Sequence, residues 1–208
     1  MFGLLYGLWK WLFEKDKVNV LIIGPDNAGK TTVLEQLKSV FGKPSLHPEK
    51  IVPTIGFNLA QLEVDSIEAV FWDVGGGETV RPIWDNYFVD ADGLVFVLDS
   101  ADSSRLDEVR DLVRTHVFEN PKLSECAPIL VFSNKQDLEG CLSEADLSRK
   151  LDLQAFRDSR GPRLALRVQD CSALKKQGLE EGIRWLITAA KASKQHSHHH
   201  TAGGRRRT

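Results

Sequence analysis

The sequence predicts a single α/β domain of the doubly wound type, with a mostly parallel sheet and helices on both faces. Apolar runs of strand length alternate along the chain with amphipathic helical segments, which is the order typical of parallel sheets. The first run enters a glycine-rich loop and then a helix, as in the first half of a βαβ unit. With 208 residues, 42% of them hydrophobic, the chain is long enough for one core and short for two.

The chain divides into three parts in this prediction. Residues 1–16 form an amphipathic helix that binds a membrane surface, because apolar side chains recur at helical spacing over fewer than the roughly 20 residues that cross a bilayer. A helix packed permanently on the domain is the alternative. Residues 17–193 form the globular domain, and residues 194–208, which lack apolar periodicity, form a disordered tail. The apolar face of the first helix comprises Phe2, Leu5, Trp9, Leu12 and Phe13.

The elements of the domain each have their own pattern. Four apolar runs predict strands: VNVLIIG, IEAVFWDV, GLVFVLDS and PILVFSNK. Three segments with helical spacing of apolar residues predict helices: TTVLEQLKSVF, RLDEVRDLVRTHVF and GLEEGIRWLITAAK.

Composition narrows the expected partners. The net charge of -2 gives no reason to expect nucleic-acid binding, so any nucleotide bound here is expected to be a small one. The three cysteines are an odd number and widely spaced, and no cleavable signal peptide is recognised, so we expect a reducing intracellular compartment. The protein is expected to be cytoplasmic and a monomer.

The loop GPDNAGKT, residues 24–31, fits the pattern of a phosphate-binding loop between a strand and a helix. Gly29 lets the backbone approach the phosphates, Lys30 is expected to bridge the β and γ oxygens, and Thr31 to bind Mg²⁺. An ordinary glycine turn is the alternative, and the Lys-Thr pair directly after Gly29 argues against it. The predicted phosphate-binding residues are Gly24, Asp26, Asn27, Ala28, Gly29, Lys30, Thr31 and Thr32.

The segment SNKQD follows a strand and predicts guanine selectivity. The Asp137 carboxylate can accept hydrogen bonds from N1-H and the exocyclic amine of guanine, whereas adenine lacks this donor pair. The Lys135 stem can cover the base, and Asn134 can tie this loop to the phosphate loop. In CSAL, we expect the Ala173 N-H to reach guanine O6 and Ser172 to support Asp137. This base reader argues against the alternative of a small-molecule kinase.

Five segments in this order resemble the small GTPases of the ADP-ribosylation factor family: GPDNAGKT, PTIGFN, WDVGG, RPIWDNYF and NKQD. The resemblance spans residues 19–190 and is strongest to the ADP-ribosylation-factor-related branch, including its plant-type members. It implies a six-stranded sheet and a GTP/GDP switch that needs Mg²⁺. It also implies a role on Golgi (trans-Golgi) membranes in vesicle traffic and intracellular protein transport. The expected partners are an exchange factor, a GTPase-activating protein and effectors.

The resemblance also implies roles for individual residues. Thr54 would bind Mg²⁺ in the GTP state, Asp73 would hold a Mg²⁺-bound water, and the Gly76 N-H would contact the γ-phosphate. The family's aromatic effector patch corresponds to Phe57, Trp72 and Tyr87.

The chain departs from the family pattern at three positions. Phe2 stands where myristoylated members have glycine, so the helix itself is expected to supply membrane affinity. Pro25 removes one loop N-H, but the main phosphate donors come later in the loop.

Gly77 replaces the glutamine that orients the attacking water. Among the residues assigned to catalysis, Lys30, Thr54, Gly76 and Gly77, it is the one without the expected side chain. We therefore expect hydrolysis that is very slow or assisted by a partner. The alternative is a GTP-locked scaffold, and Glu78 is the candidate for rescue within the chain.

Overall fold

The computed structural model describes residues 16–124, 127–162 and 164–203. The five residues predicted for the membrane-binding face lie outside the described residues. The fold is a six-stranded sheet in the order β2-β3-β1-β4-β5-β6, with β2 antiparallel to β3 and the other neighbours parallel, which confirms the predicted fold class. The strands are β1 (Lys17–Ile23), β2 (Phe57–Val64), β3 (Ile67–Val74), β4 (Gly93–Asp99), β5 (Ile129–Asn134) and β6 (Leu166–Asp170).

The strands differ in burial according to their place in the sheet. Strands β4 and β5 lie in its interior and are buried along almost their whole length, which explains their continuous apolar sequences. Strand β2 lies at the edge and alternates between exposed and buried residues in its second half. Its tight connection to β3 passes through Asp65 and Ser66, which both have positive φ angles, as a two-residue hairpin requires.

Among the described residues, five α-helices cover the sheet: α1 (Lys30–Val40), α2 (Leu106–Leu112), α3 (Glu144–Lys150), α4 (Leu153–Arg160) and α5 (Leu179–Gly203). Helices α1 and α5 pack on one face, and α2, α3 and α4 pack on the other, so the sheet separates two apolar cores. In the described part of the chain, no helix combines the length and the apolar character needed to cross a bilayer.

The helices differ from the prediction in three places. The segment RLDEVRDLVRTHVF is α-helical only to Leu112 and continues as a π-helix over Val113–Phe118. Helices α3 and α4 were not predicted, although Ser143 caps α3 by accepting a hydrogen bond from the Asp146 N-H, a signal that the sequence carries.

The prediction of a disordered tail over residues 194–208 is wrong for residues 194–203, because α5 continues to Gly203. No glycine or proline occurs between Gly182 and Gly203, so nothing in the sequence breaks a helix that is already formed and packed at its start. Residues 204–208 lie outside the described residues.

Candidate functional site

A cleft of about 700 Å³ opens at the carboxyl ends of β1, β3, β5 and β6, where parallel strands bring the loops that follow them to one edge of the sheet. It is lined by five segments of the chain that are far apart in sequence. They are the loop after β1, the segment before β2, the glycine run after β3, and the loops after β5 and β6. The lining residues that sequence analysis had singled out are Asp26, Asn27, Gly29, Lys30, Thr31, Thr32, Thr54, Gly76, Gly77, Asn134, Lys135, Asp137 and Ala173.

The loop after β1 has its shape because two positions admit only glycine. Gly24 and Gly29 have φ angles of 142° and 92°, in the region that disfavours side chains. A Cβ at Gly24 would collide with the Val97 carbonyl oxygen, and one at Gly29 with the Asn134 side-chain amide. Gly29 also caps the start of α1, so the first N-H groups of that helix face the cleft and favour an anion.

Lys30 lies at the centre of this loop and is buried. Its Nζ donates hydrogen bonds to the carbonyl oxygens of Gly24, at 2.9 Å, and Pro25, at 2.7 Å. Burial lowers the Lys30 pKa to about 8, against the opposing effect of the Asp73 and Asp26 carboxylates. A buried ammonium held by neutral carbonyls is well placed to exchange them for phosphate oxygens.

Thr31, Thr54 and Asp73, which the resemblance assigned to Mg²⁺, meet at one point. The Thr31 hydroxyl donates to Asp73 Oδ2 at 2.7 Å and lies 2.6 Å from the Thr54 hydroxyl. Burial raises the Asp73 pKa, while hydrogen bonds from Thr31 and from Asn58 Nδ2, at 3.4 Å, favour the ionised form.

Asp73 Oδ1 is buried and has no hydrogen-bond partner among the described residues. An unpaired carboxylate oxygen beside two hydroxyls is the donor set that a hard cation prefers, so these residues fit Mg²⁺. No cluster of three His, Cys, Asp or Glu side chains that could hold a metal occurs in the described part of the chain. A Mg²⁺ ion held here would take the two hydroxyls beside the single carboxylate, together with water and phosphate oxygens.

The segment before β2 and the glycine run after β3 contact each other above the phosphate loop. The Gly75 N-H donates to the Gly56 carbonyl at 2.9 Å, and a Cβ at Gly75 would lie 2.8 Å from the Thr54 carbonyl oxygen. A Cβ at Gly76 would collide with the Gly24 carbonyl and with Lys30 Nζ. The glycines are required here because three backbone segments converge without room for side chains.

Asn134 joins the loop after β5 to the phosphate loop, as its predicted role requires. Its Nδ2 donates to the Ala28 carbonyl at 2.8 Å. Its Oδ1 accepts the Ala173 N-H at 3.0 Å, which differs from the prediction that this N-H is directed at the base. The reason is that the Ala28 carbonyl orients the amide and leaves its oxygen facing residue 173. A base oxygen would have to share this N-H with Asn134.

Asp137 and Lys135 each contact a polar side chain that does not line the cleft. Ser172 donates its hydroxyl to the Asp137 carboxylate, as predicted for the supporting residue. The Lys135 Nζ lies 2.6 Å from Asp99 Oδ2, an ion pair that sequence analysis did not find. Gln136, also not assigned a role, donates from Nε2 to the Ser133 hydroxyl at 2.9 Å. Its position within the NKQD segment was the sequence feature that could have indicated a role at this site.

Phe57, Trp72 and Tyr87 come together beside the cleft. The Tyr87 ring lies 5.8 Å from the Phe57 ring and 5.9 Å from the Trp72 ring, in tilted arrangements. Phe57 is half exposed, and Ile55, two residues earlier, is 96% exposed. The three aromatic residues therefore form one cluster at the junction of the two segments that cover the phosphate loop.

Gly77 lies at the cleft and brings no functional group to it. A Cβ built at this position meets no atom within 4 Å, and the backbone does not require glycine there. The position that carries glutamine in the resembling family could therefore hold a side chain without a steric conflict.

The chain is similar to known proteins both in its sequence and in its fold. The sequence profile of the ADP-ribosylation factor family matches residues 5–190. ADP-ribosylation factor-related protein 1 of Bos taurus is 42% identical over 194 residues, which cover 90% of this chain and 92% of the relative. ADP-ribosylation factor-like protein 3 of Chlamydomonas reinhardtii is 38% identical over 191 residues, covering 92% and 99% of the two chains.

A solved structure with the same fold is that of the Arl6 BBS3 small GTPase of Trypanosoma brucei with bound nucleotide analogue GppNp. It has a TM-score of 0.74 and 30% identity, and the match covers 85% of this chain and 99% of that one.

Proposed function

Because the chain belongs to the ADP-ribosylation factor family of small GTPases, we propose that it is a Mg²⁺-dependent GTP/GDP switch that acts in Golgi and vesicle membrane traffic. The observation that carries the proposal is that Thr31 and Thr54 meet the Asp73 carboxylate at a cleft that Asp137 also lines. The residues proposed to bind phosphates and those proposed to read guanine thus line one cavity.

The contacts between the covering segments support a switching role. The Thr54 hydroxyl contacts the Thr31 hydroxyl, and the Gly75 N-H donates to the Gly56 carbonyl. The segment before β2 is therefore bound both to the phosphate loop and to the glycine run. Mg²⁺ bound there would neutralise phosphate charge. A ligand that holds both segments also holds the aromatic cluster of Phe57 and its partners, because β2 begins directly after Gly56. Effectors that read this cluster would distinguish the two nucleotide states.

The hydrolytic half of the cycle is proposed to be slow or to depend on a partner. Loss of one polar group that positions the reacting atoms costs on the order of 10² to 10³ in rate. Glycine at position 77 supplies no such group, and Glu78, the neighbouring carboxylate, is exposed. A GTPase-activating protein would then contribute the missing side chain in trans.

The first experiment is single-turnover GTP hydrolysis by the Mg²⁺-loaded protein, with and without cell extract as a source of activating protein. Gly77→Gln should hydrolyse about 10² times faster than the native chain, because the site has room for the side chain. Glu78→Gln is the matched variant, and it should leave the native rate unchanged. A slower rate in this variant would indicate that Glu78 positions the water.

The outcomes separate the two candidate functions. Acceleration of the native protein by extract supports a partner-assisted GTPase. A native chain that stays inert with extract while Gly77→Gln turns over indicates the alternative, a GTP-locked membrane-bound scaffold. Guanine nucleotide that fails to bind at all would refute both.

Membrane attachment is tested separately, since the proposed helix of residues 1–16 and the Golgi location have their support in the sequence and in the resemblance. Flotation with anionic liposomes should recover more protein loaded with a non-hydrolysable GTP analogue than with GDP. Leu5→Ala combined with Trp9→Ala should abolish the difference. Equal recovery of both nucleotide forms would contradict a switch that acts through membrane binding.

A further inference from the structure

The glycine run of residues 75–77 has no side chains of its own, so its peptide orientations are set by the residues that follow it. The indole Nε1-H of Trp84 donates to the Gly75 carbonyl oxygen at 2.8 Å. The guanidinium Nε-H of Arg81 donates to the Gly76 carbonyl oxygen at 2.9 Å. Both donors come from the 3-10 helix over Arg81–Asn86, so one short element holds two successive peptide groups.

Fixing a carbonyl also fixes the N-H of the same peptide group. In a trans peptide the two bonds point in opposite directions across one plane, and the described chain has no cis peptide. The Gly75 carbonyl therefore determines where the Gly76 N-H points, and the Gly76 carbonyl does the same for the Gly77 N-H. Both N-H groups point away from Trp84 and Arg81.

Neither of these N-H groups has a hydrogen-bond partner among the described residues, although the preceding Gly75 N-H does. Gly76 is buried, and a buried backbone donor is rarely left unpaired. Both residues line the cleft, and Gly76 abuts Lys30 Nζ and the Gly24 carbonyl. The two free donors therefore belong to the part of the cleft where the phosphate loop lies.

Arg81 is itself held in place relative to that loop. Its guanidinium pairs with Glu108, which also accepts Arg105 Nε-H at 2.8 Å. Arg105 in turn donates to the Asp26 carboxylate at 2.7 Å and to its carbonyl at 2.9 Å. The Arg81 side chain is only 12% exposed, so it has little freedom. A continuous chain of ion pairs thus connects the glycine run to the phosphate loop.

We propose that Trp84 and Arg81 are positioning residues that direct the N-H groups of Gly76 and Gly77 at the terminal phosphate of GTP. The pair of donors would give this chain selectivity for GTP over GDP without a side chain at position 77. The inference rests on the proposed GTP switch and adds the residues that set its sensitivity to the γ-phosphate.

The test compares the dissociation constants of GTPγS and GDP, both with Mg²⁺, for full-length variants. Arg81→Met removes the donor to Gly76. Arg81→Gln removes the charge but keeps an N-H, because its amide nitrogen follows the same number of bonds as arginine Nε. Trp84→Phe removes the donor to Gly75 and keeps an aromatic ring. Arg110→Met, at an exposed arginine of α2 outside the cleft, is the control for loss of charge.

We expect Arg81→Met and Trp84→Phe to weaken GTPγS about tenfold while GDP changes less than twofold. Arg81→Gln should recover most of the GTPγS affinity, and Arg110→Met should behave as the native chain. An unchanged ratio of the two constants in Arg81→Met would overturn the inference. So would an equal loss for both nucleotides together with a lower melting temperature, which indicates a structural role.

The outcomes remain separable if one variant fails. If Trp84→Phe does not fold, the comparison of Met with Gln at position 81 decides the question alone. If the native chain binds GTPγS no better than an adenine nucleotide, the proposed function itself fails, and this result is read from the native protein without any variant.

Discussion

At the scale of single residues, the site depends on its glycines as much as on its functional side chains. The glycines of the phosphate loop and of the glycine run let three backbone segments approach Lys30. Glycine at position 77 is different, because neither its φ angle nor its surroundings require it. The sequence alone does not distinguish a glycine that the backbone conformation requires from one, such as Gly77, that could be replaced by a residue with a side chain.

Gly29→Ala is expected to weaken GDP binding more than tenfold. A Cβ there is strained by the φ angle of 92° and displaces the Asn134 amide, which joins the loop after β5 to the phosphate loop. Gly42→Ala is the matched control, since its φ angle is 71° but no atom lies within 4 Å of the added Cβ. Both variants should lose about 1 to 2 kcal/mol of stability. Titration calorimetry should show weak GDP binding only for Gly29→Ala, and native affinity there would contradict this account.

Glu108→Gln should make stability less dependent on acid pH. Hydrogen bonds from Arg105 and Arg81 lower the Glu108 pKa from 4.5 to about 2. Because the pKa is lower in the folded state, the ionised group stabilises the fold above pH 4.5, and this contribution is lost as pH falls towards 2. With screening by solvent, the contribution is about 1 kcal/mol.

Urea unfolding at several pH values measures this contribution. The difference between the native chain and Glu108→Gln should be constant above pH 5 and shrink below it. Glu119→Gln, at an exposed carboxylate 3.9 Å from Arg114, serves as control and should show no such trend. A difference that stays constant down to pH 3 would mean that Glu108 is not held ionised by its arginines.

At the scale of elements, the connections of α5 show how a long helix is fixed at the edge of the domain. Lys194 donates to the Lys17 carbonyl at 2.9 Å and to Asp92 Oδ2 at 2.8 Å, and Asp92 also accepts the Asn19 N-H. These contacts bind the helix to the start of β1, the point at which residues 1–15 join the domain. The helix is therefore held by tertiary contacts as far as Lys194, and local propensity favours the turns that follow.

Lys194→Met should lower the free energy of unfolding by about 1 to 2 kcal/mol, because it removes the hydrogen bond to the Lys17 carbonyl and leaves the mostly buried Asp92 carboxylate without its cation. Lys191→Met, one turn earlier on the same helix, loses only an exposed pair with Asp16 and should cost at most about 0.5 kcal/mol. Thermal unfolding separates the two by about 2 to 4 °C per kcal/mol. Equal effects would show that exposure does not determine the strength of these pairs.

At the scale of the whole molecule, the cleft joins five segments, so a ligand in it stabilises the entire domain. A nucleotide at 1,000 times its dissociation constant contributes about 4 kcal/mol. Mg²⁺ with GDP should therefore raise the melting temperature by about 8 to 16 °C, whereas ADP should leave it unchanged.

Asp137→Asn makes the base preference testable in the same assay. The carboxylate accepts two donors of guanine, whereas an amide accepts one hydrogen bond and donates one, which suits xanthine. The variant should lose the shift with GDP and gain one with xanthosine diphosphate. A variant still stabilised by GDP would indicate that Asp137 does not read the base.

Much of this molecule could be predicted from local sequence. The apolar runs of β1, β4 and β5 and the loop GPDNAGKT have strong patterns, because buried strands and phosphate loops restrict residue type at each position. The π-helical turn after Leu112 and the two short helices α3 and α4 were not predicted. Short helices carry weak periodicity, and their packing against the core decides whether they form.

The sequence alone determined the fold class, the phosphate loop, the guanine-reading segment and the missing side chain at position 77, since these depend on residue type at fixed spacing. Only the tertiary structure decided which atoms meet. It pairs the Ala173 N-H with Asn134 and brings Arg81 and Trp84 onto the carbonyls of the glycine run. It also leaves Asp73 Oδ1 without a partner among the described residues. Hydrogen-bond partners are selected by distance and direction between segments far apart in the chain, and no local pattern encodes them.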